Sequence, residues 1–311
     1  MKDSMSGGST NKRGSAEGNP SSLIPGPSSL LPHPSSLFPH PSIFFIHAIL
    51  LAYTLLALFP IALILLNSFK ARRAIFGSPL ALPGPETFSL IGYQKVFSDG
   101  HVPLYFLNSV VVTVATIVLV LLLGAMAAWA LTEYGFRGST LLKLYLSIGI
   151  MVPIRLGSVA ILKLIVGMGL VNTWAGLILV YTAQGLPLAV FILSEFVGQI
   201  PRELREAGRC EGVSEYRIFL WVILPLLRPA MATVAVFTMI PVWNDLWFPL
   251  LLAPGGGAQT ITLGIQQFIG EYVTDWNAVI AALSVAIIPV LILYVVFSRQ
   301  LIRGLTAGAV K

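Results

Sequence analysis

The sequence has few charged residues and a single cysteine. Only 10% of its 311 residues are Asp, Glu, Lys or Arg, whereas 56% are hydrophobic and the mean hydropathy is +0.85. A soluble protein of this length could not bury so much apolar surface, so the composition excludes that class and indicates an integral membrane protein. With Cys210 alone, no intrachain disulfide can form, and the cysteine content gives no information about the redox compartment.

The sequence also lacks the phosphate-binding pattern GxxxxGK[ST], although it contains 28 glycines. We interpret the glycine-rich run at residues 254–257 as a flexible external loop. Three of the four histidines, His33, His40 and His47, lie seven residues apart, which a metal site could use. Because His33 and His40 are copies within a repeat, repetition explains the spacing better, and we predict no metal site.

A serine- and proline-rich repeat occupies the N-terminal end of the sequence. The pattern SSLxPxP occurs at residues 21–27, 28–34 and 35–41. Proline at this density prevents a helix and favours an extended, solvated backbone, so we expect residues 1–42 to form a disordered cytoplasmic tail. No continuous apolar run precedes residue 43, so the tail does not have the pattern of a signal peptide.

Long apolar segments make up most of the remaining sequence. A helix needs about 20 mostly apolar residues to cross a bilayer. Six segments satisfy this, at roughly residues 43–66, 104–131, 142–167, 174–197, 226–252 and 277–298. With the N-terminus inside, the inner segments carry 13 Lys and Arg residues and the outer segments carry 4. The positive-inside rule therefore places both termini in the cytoplasm, although the cluster at residues 70–73 opposes it. Basic cytoplasmic loops also explain the net charge of +6 without a nucleic-acid partner.

The few charged residues concentrate between residues 201 and 225, in the sequence PRELREAGRCEGVSEYRIFLWVILP. Pro201 suits the first position of a helix, because its missing N–H costs nothing there. Gly212 can adopt the left-handed conformation that closes a helix, and Ser214 is a candidate N-cap for a second helix through Ile223. A charged helical hairpin between apolar spans predicts a docking surface for a water-soluble partner.

The order of residues in this hairpin resembles a known family. Glu206-Ala207-Gly208 is followed after three residues by Gly212, and after nine more by Val222-Ile223-Leu224-Pro225. This spacing is similar to the EAA loop of bacterial ABC importer permeases, EAA-x3-G-x9-I-x-LP, with Gly208 and Val222 as mild departures. Three further segments resemble the MalG-like branch of carbohydrate permeases, at residues 229–233, 243–245 and 304–311. The resemblance covers about residues 43–311.

The resemblance implies a fold, a function and a set of partners. The implied fold is an all-α integral membrane protein with six transmembrane helices, the type I ABC importer permease fold, in the bacterial cytoplasmic (inner) membrane. The implied function is that of a non-catalytic subunit that forms half of a sugar-translocation pathway and binds no cofactor. ATP and Mg²⁺ would belong to two partner ATPase subunits. The other implied partners are a second, MalF-like permease, an extracytoplasmic sugar-binding protein, the sugar and membrane lipid.

The resemblance also assigns residues to contacts with the ATPase. In the family, the EAA loop forms a coupling helix that sits in a cleft of the ATPase subunit. This implies a coupling role for Glu206, Ala207, Gly208, Gly212, Leu224 and Pro225. The C-terminal tail of MalG-like permeases reaches the same interface, which implies contacts by Gly304, Thr306 and Gly308. A frayed terminus is the alternative for this tail.

Four residues are candidates for the translocation pathway: Arg155, Trp243, Asn244 and Asp245. An ionisable group within a span is costly and is therefore a candidate functional residue, and Arg155 follows Pro153 in a segment that proline and glycine would break. Trp243 could stack on a sugar, but anchoring at the membrane interface is the commoner role of tryptophan. The partner permease could also supply all of the sugar contacts.

Two other functions remain open from the residues alone. A secondary carrier would need buried Asp, Glu or His residues for ion coupling and inverted repeats, and neither is evident. A non-transporting membrane scaffold would explain the hydrophobicity but not the ordered motif of the hairpin. Dependence of uptake on ATP and on a separate ATPase distinguishes the three functions.

Overall fold

Helices make up most of the structure. The computed structural model describes residues 41–98, 101–270 and 274–307. By their contacts, the residues up to Ala57 form one unit and the residues from Leu58 onward form a second. The helices are α1 Pro41–Asn67, α2 Arg72–Gly77, α3 Ile91–Ser98, α4 Val102–Glu133, α5 Ser139–Met151, α6 Ser158–Gly167, α7 Trp174–Gln199, α8 Arg202–Cys210, α9 Glu215–Ile218, α10 Leu224–Leu226, α11 Arg228–Asn244, α12 Trp247–Leu252, α13 Ile261–Gln266 and α14 Trp276–Ala307. Apart from two isolated bridges, the described residues contain no β-structure.

The six predicted spans all fall on helices, but the structure supports fewer complete spans. Among the described residues, three helices, α1, α4 and α7, are long and apolar enough to cross a membrane. Two bent pairs raise the number to five at most: α5 and residues 154–167 meet at 89°, and residues 215–226 and α11 meet at 73°. The apolar stretch described in α14 is shorter, Trp276–Ile292. The prediction of six spans is therefore not confirmed.

The predicted span at residues 142–167 breaks at a proline. Helix α5 ends at Met151, and Val152 is extended, with φ −84° and ψ 118°. Pro153 causes this, because it has no N–H to donate and its ring disfavours the helical conformation of the residue before it. A short 3₁₀ turn, Ile154–Gly157, then leads into α6.

The predicted span at residues 226–252 is wrong as a single helix. Helix α11 ends at Asn244, and Asp245 is extended, with φ −74° and ψ 132°. The carboxylate of Asp245 accepts hydrogen bonds from the backbone N–H groups of Trp247 and Phe248, at 3.2 and 3.0 Å. These bonds satisfy the free N–H groups at the start of α12, as an N-cap does, and so stabilise a new helix in place of a continuous one.

Helices α4 and α7 form the centre of the second unit. Helix α4 contributes to all three buried apolar clusters, through Val120 in the first, Tyr105 in the second and Val112 in the third. A Cβ atom on Gly124 of α4 would lie only 2.9 Å from the Cβ atom of Ala189 of α7. Small residues at this contact let the two backbones approach closely, which provides the van der Waals packing that holds helices together in lipid.

The sequence at residues 89–97 predicts a short amphipathic segment lying on the membrane surface. In the structure, Ile91–Ser98 form α3, which packs on α14. Val96 is fully buried, and the hydroxyl oxygen of Tyr93 lies 2.9 Å from that of Ser284. Lys95 forms an ion pair with Asp275, which lies just before α14. One face of α3 is therefore covered by protein, which the sequence pattern did not predict.

Lys70 belongs to the basic cluster at residues 70–73, whose position opposes the positive-inside rule. Its side chain is buried, and its ammonium group donates to the Oδ1 atom of Asn67 and to the carbonyl oxygens of Ser78 and Pro79, at 3.0 to 3.1 Å. All three N–H donors of this lysine are therefore bonded to residues close to it in the sequence. Local structure explains this positive charge without reference to membrane topology.

Candidate functional site

The charged hairpin, residues 201–225, contains a tight turn between two short helices. Helix α8 ends in a Schellman motif, in which Val213 N donates to Gly208 O and Gly212 N donates to Arg209 O, both at 3.0 Å. Gly212 has a φ of +73°, so the predicted left-handed conformation is confirmed. No atom lies within 4 Å of a Cβ atom placed on this glycine, so the backbone conformation, and not a lack of space, favours glycine here.

The two helices of the charged hairpin pack against each other through Gly208. A Cβ atom on Gly208 would lie 3.1 Å from Cγ1 and 3.2 Å from Cδ1 of Ile218. From the sequence, Ala207 and Gly208 form a small-residue face that another backbone could approach closely. In the structure, Gly208 instead receives a side chain of its own chain, whereas Ala207 stays exposed. Helix α8 begins after Pro201, one residue later than predicted, and Ser214 precedes α9 but caps no N–H group with its side chain.

Four charged residues fasten the hairpin to the end of α4. Arg205 pairs with Glu133, and Arg209 pairs with both Glu133 and Glu215. The side chains of Arg205 and Glu133 are only 6% and 11% exposed, and the Arg205 guanidinium lies 5.8 Å from the centroid of the Trp129 ring. We call Glu133, Arg205, Arg209 and Glu215 the hairpin clamp. Because buried charges are tolerated only when they are paired, the hairpin clamp fixes the orientation of α8 relative to α4.

Contacts within and beside the hairpin clamp raise two pKa values and lower a third, the pKa of Glu215, chiefly through its hydrogen bond with Arg209. The hydrogen bonds to Glu215 and Glu133 raise the pKa of the Arg209 guanidinium. Burial, and then the hydrogen bond that its hydroxyl donates to Glu215, raise the pKa of Tyr134. Both groups therefore stay protonated, and remain donors, throughout the physiological pH range.

Three further residues of α8, Leu204, Glu206 and Ala207, are exposed and take no part in the hairpin clamp. Within the described part of the chain, Glu206 has no ion-pair partner, in contrast to the two glutamates of the hairpin clamp. It lines a cavity of about 220 Å³ together with Arg202 and with three clamp residues, Glu133, Arg205 and Arg209. Exposed apolar side chains and a carboxylate without an ion pair make α8 suited to contact another protein.

Leu224 and Pro225 lie at the bend that follows the hairpin. Helix α9 continues through a π-helical turn, Phe219–Ile223, into the three-residue α10, and residues 215–226 meet α11 at 73°. Ile223 is fully buried in the cluster that joins the hairpin to α4 and α7. Pro225 cannot donate a helical hydrogen bond, and a π-turn with a proline is a common cause of a sharp bend. The Leu-Pro end of the motif thus sets the direction of α11.

A second group of candidate residues meets where two predicted spans break. Arg155 lies in the 3₁₀ turn after α5, and its Nη2 atom donates to Oδ1 of Asp245 at 3.2 Å, although 90 residues separate them in the sequence. The hydroxyl of Tyr181 in α7 donates to Oδ2 of Asp245 at 2.9 Å. The Asp245 side chain is 7% exposed, so this carboxylate is a buried charge that its neighbours stabilise.

A cavity of about 280 Å³ adjoins this pair, and three of the four pathway candidates line it: Arg155, Asn244 and Asp245. Trp243 lies elsewhere. It is 3% exposed, its Nε1 atom donates to the carbonyl oxygen of Ala286 at 3.0 Å, and its ring packs edge-on against Phe106. Trp243 therefore joins α11 to α4 and α14, and its buried ring is not available to stack on a sugar.

The C-terminal candidates lie at the end of the described chain. Gly304 and Thr306 belong to the last turns of α14, which ends at Ala307. Gly308 lies outside the described residues. A contact of this segment with an ATPase stays a prediction.

The hairpin clamp and the cluster around Asp245 can form ion pairs and hydrogen bonds. Within the described residues, no group of three His, Cys, Asp or Glu side chains could hold a metal ion. Glu133 and Tyr181, which complete the two clusters, were not predicted from the sequence. For Glu133 a signal existed, because it is the only acidic residue between Asp99 and Glu195 and it ends a predicted span close to a basic segment. For Tyr181 the sequence offers no comparable signal.

The architecture is that of an importer permease, in which apolar helices hold a charged hairpin between them. In its fold, the chain is similar to a chain in the crystal structure of a bacterial ABC transporter involved in the import of the acidic polysaccharide alginate. The TM-score is 0.69, and the match covers 84% of this chain and 98% of that chain at 22% sequence identity. This likeness confirms the predicted all-α importer-permease fold.

The sequences define the family. Residues 120–306 match the family described as binding-protein-dependent transport system inner membrane component. The chain is 34% identical over 266 residues to the diacetylchitobiose uptake system permease protein NgcG of Streptomyces coelicolor, which covers 85% of this chain and 87% of that relative. It is 33% identical over 260 residues to the probable starch degradation products transport system permease protein AmyC of Thermoanaerobacterium thermosulfurigenes, which covers 83% and 93%. The chain belongs to this family of inner membrane components, and it is a permease subunit of an ABC importer.

Proposed function

We propose that the chain forms one half of the translocation pathway of a sugar importer. The support comes from the relatives: NgcG is named for diacetylchitobiose, AmyC for starch degradation products and AraQ of Bacillus subtilis for arabinooligosaccharides. All three names describe carbohydrates, so a carbohydrate is the substrate class with the best support. A secondary carrier is not favoured, because the family is defined by dependence on a binding protein.

In this proposal the chain works with several partners and performs no catalysis itself. A second, MalF-like permease completes the pathway, and an extracytoplasmic binding protein delivers the sugar. Two ATPase subunits bind ATP and Mg²⁺, whereas this chain binds no cofactor. Both termini lie in the cytoplasm, as the distribution of Lys and Arg predicts, so that the charged hairpin meets the ATPase.

The observation that carries the coupling role is that α8 is anchored to the membrane helices while part of it stays exposed. Arg205 and Arg209 join α8 to α4 through the hairpin clamp. Glu206 and Ala207 are exposed and lie outside the hairpin clamp, and Gly212 closes the helix in a tight turn. A force applied to the exposed residues of α8 would pass through the hairpin clamp to α4, and through Pro225 to α11. This arrangement suits a rigid lever driven by a partner subunit.

Gly212→Asp tests this role in the complete importer, reconstituted with its second permease, its ATPase and its binding protein. The variant strains the left-handed turn and adds a charge at the docking face, so we expect ATPase stimulation by the sugar-loaded binding protein to fall by at least about tenfold. Gly77→Asp is a matched control, because Gly77 has open space around it and lies outside the hairpin. Normal uptake by the Gly212→Asp complex would contradict the coupling role.

Substitutions of the two exposed glutamates of α8, Glu203 and Glu206, make this test more specific. Glu206→Gln removes the exposed charge of Glu206 without changing the size of the side chain. Glu203→Gln makes the same change one turn earlier on the same helix. We expect only the first variant to weaken binding of the ATPase subunit, measured by co-purification. Equal effects of the two variants would show that total charge, and not the position of Glu206, matters.

The C-terminal segment forms a second contact with the ATPase in this proposal. Removal of residues 304–311 should then weaken co-purification of the ATPase subunit. Transport that is unchanged by this deletion would instead identify the segment as a frayed terminus.

A further inference from the structure

Two helix breaks, in separate predicted spans, lie beside the same cavity. The 3₁₀ turn after Pro153 contributes Arg155, and the end of α11 contributes Asn244 and Asp245. Irregular backbone at membrane depth is tolerated only where protein buries it or where it lines a water-filled cavity. Interrupted helices also frame substrate sites in transport proteins more generally. The meeting of two breaks at one cavity therefore marks it as a candidate for contact with a transported molecule.

The carboxylate of Asp245 is fully engaged within the chain. It accepts from Arg155, from the hydroxyl of Tyr181 and from the backbone N–H groups of Trp247 and Phe248, at 2.9 to 3.2 Å. Four donors use the acceptor capacity that a carboxylate has. Asp245 is therefore a fixed counter-ion for Arg155 and the start of α12, and it has no acceptor site left for a ligand.

Arg155 is in the opposite situation. Its side chain is 67% exposed, and Nη2 makes its one hydrogen bond to a described residue, the bond to Asp245. A guanidinium has five N–H donors in a fixed planar fork. Most of these donors consequently remain available on the side of the cavity, while Asp245 holds the group in place.

The remaining walls of the cavity combine amides with apolar surface. Gln184 of α7 and Asn244 are exposed and carry amide groups, and Phe248 and Pro241 contribute an apolar side. The Nδ2 atom of Asn244 donates one of its two N–H groups to the carbonyl oxygen of Ile240 at 2.9 Å, so the other N–H is the one available to a ligand. A second cavity, of about 120 Å³, shares Tyr181, Gln184 and Pro241 with the first and continues along α7 and α11. The volume of 280 Å³ is near the lower end for small-molecule sites, so the cavity would hold part of an oligosaccharide at one time.

We propose that this cavity is a transit site for the sugar, at which Arg155, Gln184 and Asn244 donate hydrogen bonds to hydroxyl and ring oxygen atoms of an uncharged carbohydrate unit. The proposal rests on the proposed function as a sugar importer. Because Asp245 balances the charge of Arg155, the site has no net charge and offers donors without attracting an anion. Its role is to retain sugar that the binding protein has released, so that each cycle of ATP hydrolysis delivers it inward.

The number of sugar molecules delivered per ATP hydrolysed tests the transit site in the reconstituted complete importer. The probes are radiolabelled diacetylchitobiose, maltotriose and arabinotriose, each with the binding protein that accepts it. Arg155→Gln and Gln184→Leu remove donors from the cavity, and we expect each to lower the ratio by about threefold to tenfold. A purely structural role would lower uptake and ATP hydrolysis together and would leave the ratio unchanged.

Two control variants make the same chemical changes outside the cavity. Lys163→Gln removes an exposed positive charge from α6, and Gln199→Leu removes an amide at the end of α7. Both should leave the ratio at the wild-type value. If Arg155→Gln and Gln184→Leu also keep the wild-type ratio, the transit site is wrong while the proposed function stands. A wild-type complex that delivers none of the probes contradicts the proposed function instead.

A binding measurement tests whether the cavity binds sugar even when the wild-type complex delivers none of the probes. The complex in detergent, without the binding protein, is heated in the presence of millimolar maltotriose or of a mannuronate disaccharide, which is acidic. We expect maltotriose to raise the midpoint of unfolding of the wild-type complex but not of the Gln184→Leu complex. Absence of any shift with maltotriose, or a larger shift with the acidic sugar, would overturn the proposal.

Discussion

The hairpin clamp and the Asp245 cluster both use arginine–carboxylate pairs to join distant segments, but they differ in which members of the pair are buried. In the hairpin clamp, the Arg205 side chain is 6% exposed and its partner Glu133 is 11% exposed, so both charges serve the contact with α4. In the Asp245 cluster, the carboxylate is buried and Arg155 is largely exposed. The hairpin clamp also borders a cavity, but its Arg205 and Glu133 side chains stay buried, whereas the Asp245 cluster presents a largely exposed cation to its cavity.

The two kinds of pair suit different roles: a fully buried pair holds helices together, and a pair with an exposed member can bind another molecule. A pair that is buried on both sides contributes rigidity, because neither group can exchange its partner for water or for a ligand without a large cost. A pair with one exposed member is weak in itself but positions that member. We therefore assign the hairpin clamp to force transmission and Arg155 to contact with the transported molecule, and the following variants test that division.

The largest effect is expected from Arg205→Met. The variant leaves Glu133 buried with one of its two arginine partners, and breaking a buried pair costs about 3–5 kcal/mol. Unfolding of the purified complex in detergent measures the loss of stability, and ATPase stimulation by the binding protein measures the loss of coupling. Arg202→Met is the matched control, because Arg202 is an exposed arginine of the same helix.

A second substitution shows whether charge is the cause. Glu133→Gln in the Arg205→Met background removes the buried charge that has lost one of its two arginine partners, so the double variant should recover part of the stability but not the stimulation of the ATPase. Equal stability of the single and double variants would mean that packing of Arg205 on Trp129 accounts for its effect. A wild-type response of the ATPase in the single variant would remove the hairpin clamp from the coupling path.

An intermediate effect is expected from Asp245→Asn. The amide keeps the shape of the side chain but weakens the bonds from Arg155, Tyr181 and the start of α12, and a hydrogen bond to a charged group contributes about 1.5–3 kcal/mol. Arg155→Gln should change the stability by less than about 1 kcal/mol, because Arg155 is exposed. Chemical unfolding of the purified complex in detergent compares the two variants. Equal losses would show that both members of the pair are structural and would remove the basis for a contact with sugar.

The helices and the turn of the hairpin could be predicted from the sequence, because their signals are local. Apolar length marks the spans, and Gly212 marks the left-handed turn. The break at Asp245 could not be predicted, because hydropathy continues across residues 226–252 and the break depends on a carboxylate that also bonds to Tyr181 in another helix. The docking of α3 on α14 is likewise a contact between distant segments, which no periodicity within residues 89–97 reveals.

The candidate site was predictable in its residues but not in its geometry. Glu206 and Gly212 follow from motif spacing, and Arg155 and Asp245 follow from the cost of a charge within a span. Their grouping depends on Glu133 and Tyr181, which belong to no motif. Trp243 was grouped with its neighbours in the sequence, but a residue next to Asn244 on a helix points in another direction, and its ring is buried toward α14.

The smallest effect concerns the ion pair of Lys95 and Asp275, which joins α3 to the start of α14 outside the two clusters. Partial burial favours the neutral acid, but the hydrogen bonds from Lys95 and from the backbone N–H groups of Ala278 and Asn277 outweigh it and hold the pKa of Asp275 below its ordinary value of 3.8. A lowered pKa in the folded state adds stability that is present above the unfolded pKa and is lost as the pH falls through the folded one. The midpoint of thermal unfolding should therefore fall less steeply below about pH 4 in Asp275→Asn than in the wild type, while the variant is slightly less stable at neutral pH. Identical pH profiles would show that the pair contributes nothing measurable, as exposed pairs often do, and that α3 is held by Val96 and Tyr93 alone.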